Sequence, residues 1–440
     1  MSPGSSSYDL LRYEQAAALV AKHAAKLARV NRSVERVELA QAAGRVLARR
    51  LCADRDQPPF ARSTRDGFAC RASEASTHAW LAIRGATRAG AAPSGSLARH
   101  SAWEIMTGAP VPKGADAVVM LEHVDAVNGG RVRLLPPRTA EPGENIVAKG
   151  AQGHKGDELL AAGTRIGPAQ IALAAACGRV TLPVFAKPRV AILATGDELV
   201  PVEASPAPGQ IRNSNAPMLA AMVAACGGTP RILPIAADTA EALDAALANA
   251  ADADLLLITG GVSAGKFDLV EPALLRAGAR FHFTGVRIQP GKPAVFGEIP
   301  RRRRTNLVQN QNGTKYYCLG LPGNPVSSAV TFLLFAAPIL AALAGSHEPC
   351  PRFALAKLAE DVKAKSGVPN DRSSSLGWKP GRTRFLPASC TFAASTPEVA
   401  LVPWHGSGDI AAMARANCFL VVPEDAKRIK AGAIVRILLV

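Results

Sequence analysis

The chain has 440 residues, 48% hydrophobic and 5% aromatic, room for roughly two to four domains with cores of their own. Its formal net charge of +16 suits nucleic acid, a membrane surface or a small anionic ligand, yet the densest basic run, Arg301 to Arg304, has no interleaved aromatics for base stacking and reads as a solvated loop. The eight cysteines stand singly, without a C-x-x-C pair or a Cys/His cluster, which speaks against a disulfide framework or a structural zinc site and for reduced thiols in a cytoplasmic protein.

The first residues, MSPGSSSYDLLRYEQ, lack a basic segment followed by an apolar one, so no secretory signal is expected. Residues 8–30 repeat apolar positions at helical spacing, and LAQAAGRVLA at 39–48 predicts a second short helix. Residues 52–145 are punctuated by PP, SG, NGG and EPGE, with strands expected at AVVMLEHV (117–124) and RVRLL (131–135). A helical pattern returns around IGPAQIALAAACG within 156–178. Residues 8–51 and 146–186 are therefore read as one split domain around a β-rich insert, 52–145.

From 187 onward strand and helix alternate. PRVAILATG, PRILPIA and DLLLITGG read as strands, with helices at NAPMLAAMVAACGG, TAEALDAALANAA (a Thr cap) and DLVEPALLRAG (an Asp cap). ARFHFTGV, KPAVFGEI and KYYCLGLPG are strand-like, and an apolar helix closes the block. This predicts an α/β multidomain protein: a doubly wound, largely parallel α/β domain over 187–346, then a small C-terminal β domain over 347–440. The segment Ala329–Gly345 is short for a membrane span and holds Pro338, and Asn324-Pro325 before it resembles a helix cap and first turn, so a buried core helix is expected.

Ligands of open α/β sheets sit beyond the carboxyl ends of the strands. Those ends carry Thr195-Gly196-Asp197-Glu198, Asp238, the loop Gly260 to Asp268, and Leu321-Pro322-Gly323-Asn324-Pro325. The third loop nearly spells a P-loop, but Phe267 stands where Mg²⁺ needs a hydroxyl. Carboxylates at this edge would supply a divalent metal instead, and amides at helix starts would suit an anion. Taken singly, Asp268 reads as a helix cap, Asp238 as a turn carboxylate and Lys266 as solvated; their convergence favours a site. The eight histidines show no ligand spacing and read as structural or exposed.

Eight stretches resemble one family in its own order: RSTRDGFA (62–69), EIMTGAPVPKGADAVVMLEHV (104–124), ATGDELV (194–200), GQIRNSNAPML (209–219), TGGVSAGKFD (259–268), IQPGKPAVFG (288–297), LGLPGNPVSSAVTF (319–332) and HGSGDIAAMARANCFLVVP (405–423). The chain resembles the molybdopterin molybdenumtransferases of MoeA type, which are similar to the C-terminal domain of gephyrin; residues 187–345 also resemble the MogA-type adenylyltransferases. The resemblance implies insertion of molybdate at the dithiolene of adenylylated molybdopterin, with Mg²⁺ and release of AMP. It also implies a homodimer in which the β-rich lobe of one subunit faces the α/β domain of the other, and a MogA-type adenylyltransferase as a possible partner. It places Glu198, Asp268, Asp66 and Thr107 in the catalytic set, with Glu198, Asp238 and Asp268 toward the metal. Asp197, Asp238, Gly260, Gly261, Ser263, Gly265, Lys292, Pro322, Gly323, Asn324, Pro325, Arg382 and Ser407 fall to cofactor binding. Departures include Asn213 for the family's Asp, Gly285 and Gln289 at frequent lysine positions, and an apparent insertion from Arg301 to Lys315. A molybdopterin adenylyltransferase and a non-catalytic molybdopterin-binding scaffold are the alternative readings, and neither nucleic acid nor membrane is expected as a partner.

Overall fold

The strand Arg189–Ala194 reads RVAILA and is buried from Val190 onward, so both of its faces need apolar cover. In the computed structural model, described here over residues 10–27, 32–91, 95–125, 130–261, 269–301, 315–348, 350–363, 381–392 and 396–440, that cover is helical on both sides. Val190 and Ile192 share a core with helices Tyr13–Leu27, Asn215–Ala225 and Pro325–Leu343, while Ala191 and Leu193 share one with Ala240–Ala250 and Val270–Arg276. The sheet between them has six strands in the order Thr229–Ile232, Arg189–Ala194, Leu255–Thr259, Lys315–Leu321, Val295–Pro300, Arg280–Phe283. The first four are parallel and Val295–Pro300 runs antiparallel to both neighbours, which is the doubly wound, largely parallel domain expected. The chain leaves Arg189–Ala194 in one direction and re-enters the sheet on its other side at Leu255–Thr259, so a crevice opens at the carboxyl ends of these two strands.

The run Pro325–Leu343 is the one described helix long and apolar enough to cross a membrane, with a mean hydropathy of 2.2, but 89% of it is buried inside the protein. It is the core helix expected. It widens into a π turn at Phe332–Ala336, just before Pro338, whose ring and missing N–H disturb a regular α ladder.

The chain runs outward and returns beside itself. Val34–Glu38 pairs with Thr181–Phe185, Leu51–Cys52 with Glu158–Leu160, and Arg62–Ser63 with Ile146–Val147. These pairs flank an inserted six-stranded sheet ordered Ala117–Met120, Gly67–Cys70, Ser101–Ile105, Leu81–Thr87, Arg131–Leu134, Val124–Asp125. The helix predicted over 39–48 is absent: Leu39–Gln41 forms one 3₁₀ turn, Gly44 adopts φ +74°, and Val46 and Leu47 bridge to Arg165 and Val184. Burial of Leu47 beside Leu51 and Val184 overrides the local helical pattern.

In the C-terminal part, strands Thr383–Thr391, Glu398–Leu401, Phe353–Leu358, Ile434–Leu439 and Cys418–Val422 pair in turn, and the last returns to the first. Closure leaves no free edge in this ring. The short strand Ile288–Gln289 adds to Thr383 and Arg384, so the IQPGKP loop ties the α/β domain to this small barrel.

Candidate functional site

Two glycines shape the crevice. Gly260 turns at φ +94°, and a Cβ there would lie 2.2 Å from the carbonyl oxygen of Thr195; a residue without a side chain lets the two strand ends meet. Its N–H reaches the carbonyl of Leu321 at 3.3 Å, so three strand ends gather at one point. Gly196, at φ +148°, lies beneath the Glu198 carboxylate: a Cβ there would fall 2.4 Å from Oε2. The TGDE stretch thus folds its glutamate back over its glycine.

A cavity of about 1100 Å³ opens here. Of the residues singled out in the sequence, Glu198, Asp238, Gly260, Gly261, Lys292, Pro322, Gly323, Asn324, Pro325, Arg382 and Ser407 all line it. Asp197 works one step back: its Oδ1 accepts the N–H of Asp238 at 3.0 Å, while Asp238 Oδ1 accepts the Thr195 hydroxyl at 2.6 Å. Ser263, Gly265, Lys266, Phe267 and Asp268 lie outside the described residues.

Asp66 and Thr107 do not line this cavity within one chain. They face each other in the inserted lobe, where Asp66 Oδ1 accepts the Thr107 N–H at 2.5 Å and its hydroxyl at 2.8 Å. Those two bonds hold the Asp66 carboxyl below its ordinary pKa, the backbone one most. The glycine of RDGFA has a packing reason of its own: a Cβ on Gly67 would sit 1.9 Å from the carbonyl oxygen of Val119 on the neighbouring strand.

Helix starts contribute less free N–H than the sequence suggests. Pro325 has no N–H, and the N–H of Val326 is taken by the Ser407 carbonyl at 3.0 Å. The side chain of Asn324 makes no cap; its Nδ2 donates to Ser407 Oγ at 2.9 Å. Ala216 N–H goes to Asn213 Oδ1 at 3.1 Å, and Ala242 N–H to the Thr239 hydroxyl at 3.2 Å, the Thr cap expected. The Asn213 contact needs only a carbonyl oxygen, which Asn and Asp both supply, so that departure keeps the local fold and drops a negative charge. Gly285 is also accounted for: a Cβ there would meet Leu10 Cδ2 at 2.4 Å, in space filled by the N-terminal segment.

Sequence reasoning assigned no role to a buried network beneath the PGNP turn. Asn215 Nδ2 donates to Thr259 Oγ1 at 2.8 Å and to the Gly323 carbonyl at 2.6 Å, and Ser328 Oγ donates to the Pro322 carbonyl at 3.0 Å. Its one signal is an asparagine opening the apolar run NAPMLAAMVAA. Arg212 and Trp404 on the cavity wall were missed as well.

Lys292, Arg212 and Arg382 therefore line the same crevice as Glu198 and Asp238. Cationic side chains beside carboxylates, at the switch point of a doubly wound sheet, give the chemistry of a ligand-binding α/β domain suited to an anionic ligand. Comparison with known proteins agrees. Residues 11–178 match the profile "MoeA N-terminal region (domain I and II)", residues 191–342 the "Probable molybdopterin binding domain", and residues 373–440 the "MoeA C-terminal region (domain IV)". The molybdopterin molybdenumtransferase of Bacillus subtilis is 34% identical over 413 residues, 92% of this chain and 90% of the relative; that of Nostoc sp. is 33% identical over 411 residues, 92% and 88%. The crystal structure of the molybdopterin biosynthesis MoeA protein from Pyrococcus horikoshii OT3 superposes with a TM-score of 0.74 at 28% identity, covering 98% of this chain and all of that one. The chain belongs to the MoeA family of molybdopterin molybdenumtransferases.

Proposed function

We propose that this protein is a transferase of molybdenum cofactor biosynthesis, which inserts molybdenum from molybdate at the dithiolene of adenylylated molybdopterin and releases AMP. One observation carries the reading: residues of TGDE and GSGD, with Asp238, PGKP and PGNP, spread over more than 200 residues of sequence, line a single cavity. The reaction breaks a phosphoanhydride and moves an oxyanion onto two thiolates, so negative charge gathers where Lys292, Arg212 and Arg382 can meet it. The PGNP turn, braced from below by Asn215 and from the side by Ser407, orients the ligand.

A divalent cation fits these residues. Glu198 and Asp238 are hard oxygen donors on the cavity wall, and the hydrogen bond from Thr195 to Oδ1 leaves Asp238 Oδ2 available. The resemblance implies Asp268, which lies outside the described residues, as a third carboxylate toward the metal. Mg²⁺ held there would neutralise phosphate charge. Glu198 keeps its carboxylate over Gly196, and Asp197 sets Asp238 through the backbone.

Asp66 and Thr107 complete the site from a second subunit of a cytoplasmic homodimer, and a MogA-type adenylyltransferase supplies the adenylylated substrate. The test mixes purified protein, adenylylated molybdopterin, Mg²⁺ and molybdate and measures AMP. Molybdate-dependent release supports the reading. Adenylylation of molybdopterin from ATP, with pyrophosphate released, would favour the adenylyltransferase instead, and binding with no turnover the scaffold; AMP release without molybdate would be hydrolysis and would count against insertion.

A further inference from the structure

We propose that His23, His282 and Glu298 form a second metal site, for a first-row transition dication of the zinc class, which clamps the N-terminal helix to the α/β sheet. One donor atom from each residue lies within 4.8 Å of the other two. The three come from separate elements: His23 from Tyr13–Leu27, His282 from Arg280–Phe283 and Glu298 from the adjacent strand Val295–Pro300. Ligands 2.0–2.1 Å from a tetrahedral ion are about 3.3–3.4 Å apart. His282 Nε2 and Glu298 Oε2 already stand at 3.6 Å, too long for a hydrogen bond and close to a shared-ligand spacing. His282 Nε2 is shielded from solvent and has no hydrogen-bond partner among the described residues, a state that buried polar atoms seldom keep.

The surroundings suit neutral imidazole ligands. His23 is 7% exposed, its ring lies 4.0 Å from that of His282, and Phe296 packs against both. His23 Nδ1 stands 3.1 Å from the Tyr317 hydroxyl. With Nδ1 protonated and donating there, Nε2 is the free donor, the outer-partner arrangement common to metal-bound histidine. Two imidazoles and one carboxylate match the donors of a zinc-class ion, with a fourth position for water. Lys315, which pairs with Glu298, competes for that carboxylate, but its side chain is 47% exposed and can swing into solvent. The site lies toward the start of strand Lys315–Leu321, whose other end borders the molybdopterin cavity, so the two metals would not share ligands.

The test strips the full chain with EDTA and titrates it with Co²⁺ alone, reading visible absorption, then with Zn²⁺ by calorimetry and thermal melting. Wild type should take up one equivalent more than His282→Gln, and Zn²⁺ should raise its Tm but not that of the variant. Loss of a ligand should weaken this equivalent by more than the roughly 10–100-fold that loss of an outer partner brings. Glu298→Gln, nearly isosteric, gives the same reading should His282→Gln fold poorly. Equal stoichiometry and equal Tm response in wild type and both variants would overturn the proposal, as would a thiolate-type Co²⁺ spectrum that survives in both.

Discussion

At Gly260 the backbone turns at φ +94° against the Thr195 carbonyl, and no rotamer relieves a Cβ held 2.2 Å from a backbone oxygen. Gly260→Ala should therefore lose about 1–3 kcal/mol of stability, seen as a lower denaturant midpoint, and should weaken ligand binding because two strand ends must part. Glu198 poses the opposite test. It is exposed at the cavity and its near-isosteric amide alters charge alone, so Glu198→Gln should leave the melting curve unchanged and cut AMP release by roughly 10²-fold or more. Near-normal turnover would remove the role assigned to this carboxylate. Both residues stand inside quoted motifs, TGGVSAGKFD and ATGDELV, and were legible. Asn215 was not, because its partner Gly323 lies 108 residues away.

Among elements, the PGNP helix shows how a start is secured without its own side-chain cap. Val326 N–H and Asn324 Nδ2 both end on Ser407, 81 and 83 residues away from them in sequence, and Asn215 holds the turn from beneath. Asn215→Ala would remove the Asn215 donor from the Gly323 carbonyl and one of three partners from Thr259 Oγ1, which keeps Ser328 Oγ and the Pro322 carbonyl, at a cost of about 1–3 kcal/mol. Thr239→Ala removes only a cap hydrogen bond from the helix Ala240–Ala250, about 1 kcal/mol. Urea melts of the two variants should rank in that order, and Asn215→Ala alone should raise KM, since Thr239 does not line the cavity. A reversed ranking would mean that the network contributes little.

At the scale of the whole molecule, Asp66 and Thr107 sit in the inserted lobe, apart from the cavity that holds Glu198. If two subunits build each site, Asp66→Ala and Glu198→Ala homodimers should both be inactive. Mixed and allowed to exchange, they should regain activity in heterodimers, because each heterodimer carries one intact site. Verified exchange without recovery of AMP release would refute a shared site.

Elements followed from residue pattern wherever the pattern is local. The unbroken apolar run of RVAILA, the Thr239 cap and Pro325 in the first turn of the last helix depend on neighbours a few residues apart, so the doubly wound block could be read in order, and its motifs marked the sheet edge that carries the cavity. Residues 39–48 misled for the same reason: their helical spacing is real, but pairing with Arg165 and Val184 lies beyond any local window. The closure of the C-terminal barrel, the Ser407 brace, the network under PGNP and the meeting of His23 with His282 are contacts between segments distant in sequence. Side-chain periodicity carries no information about which remote segment will fill a given face, so these were settled only when the chain packed.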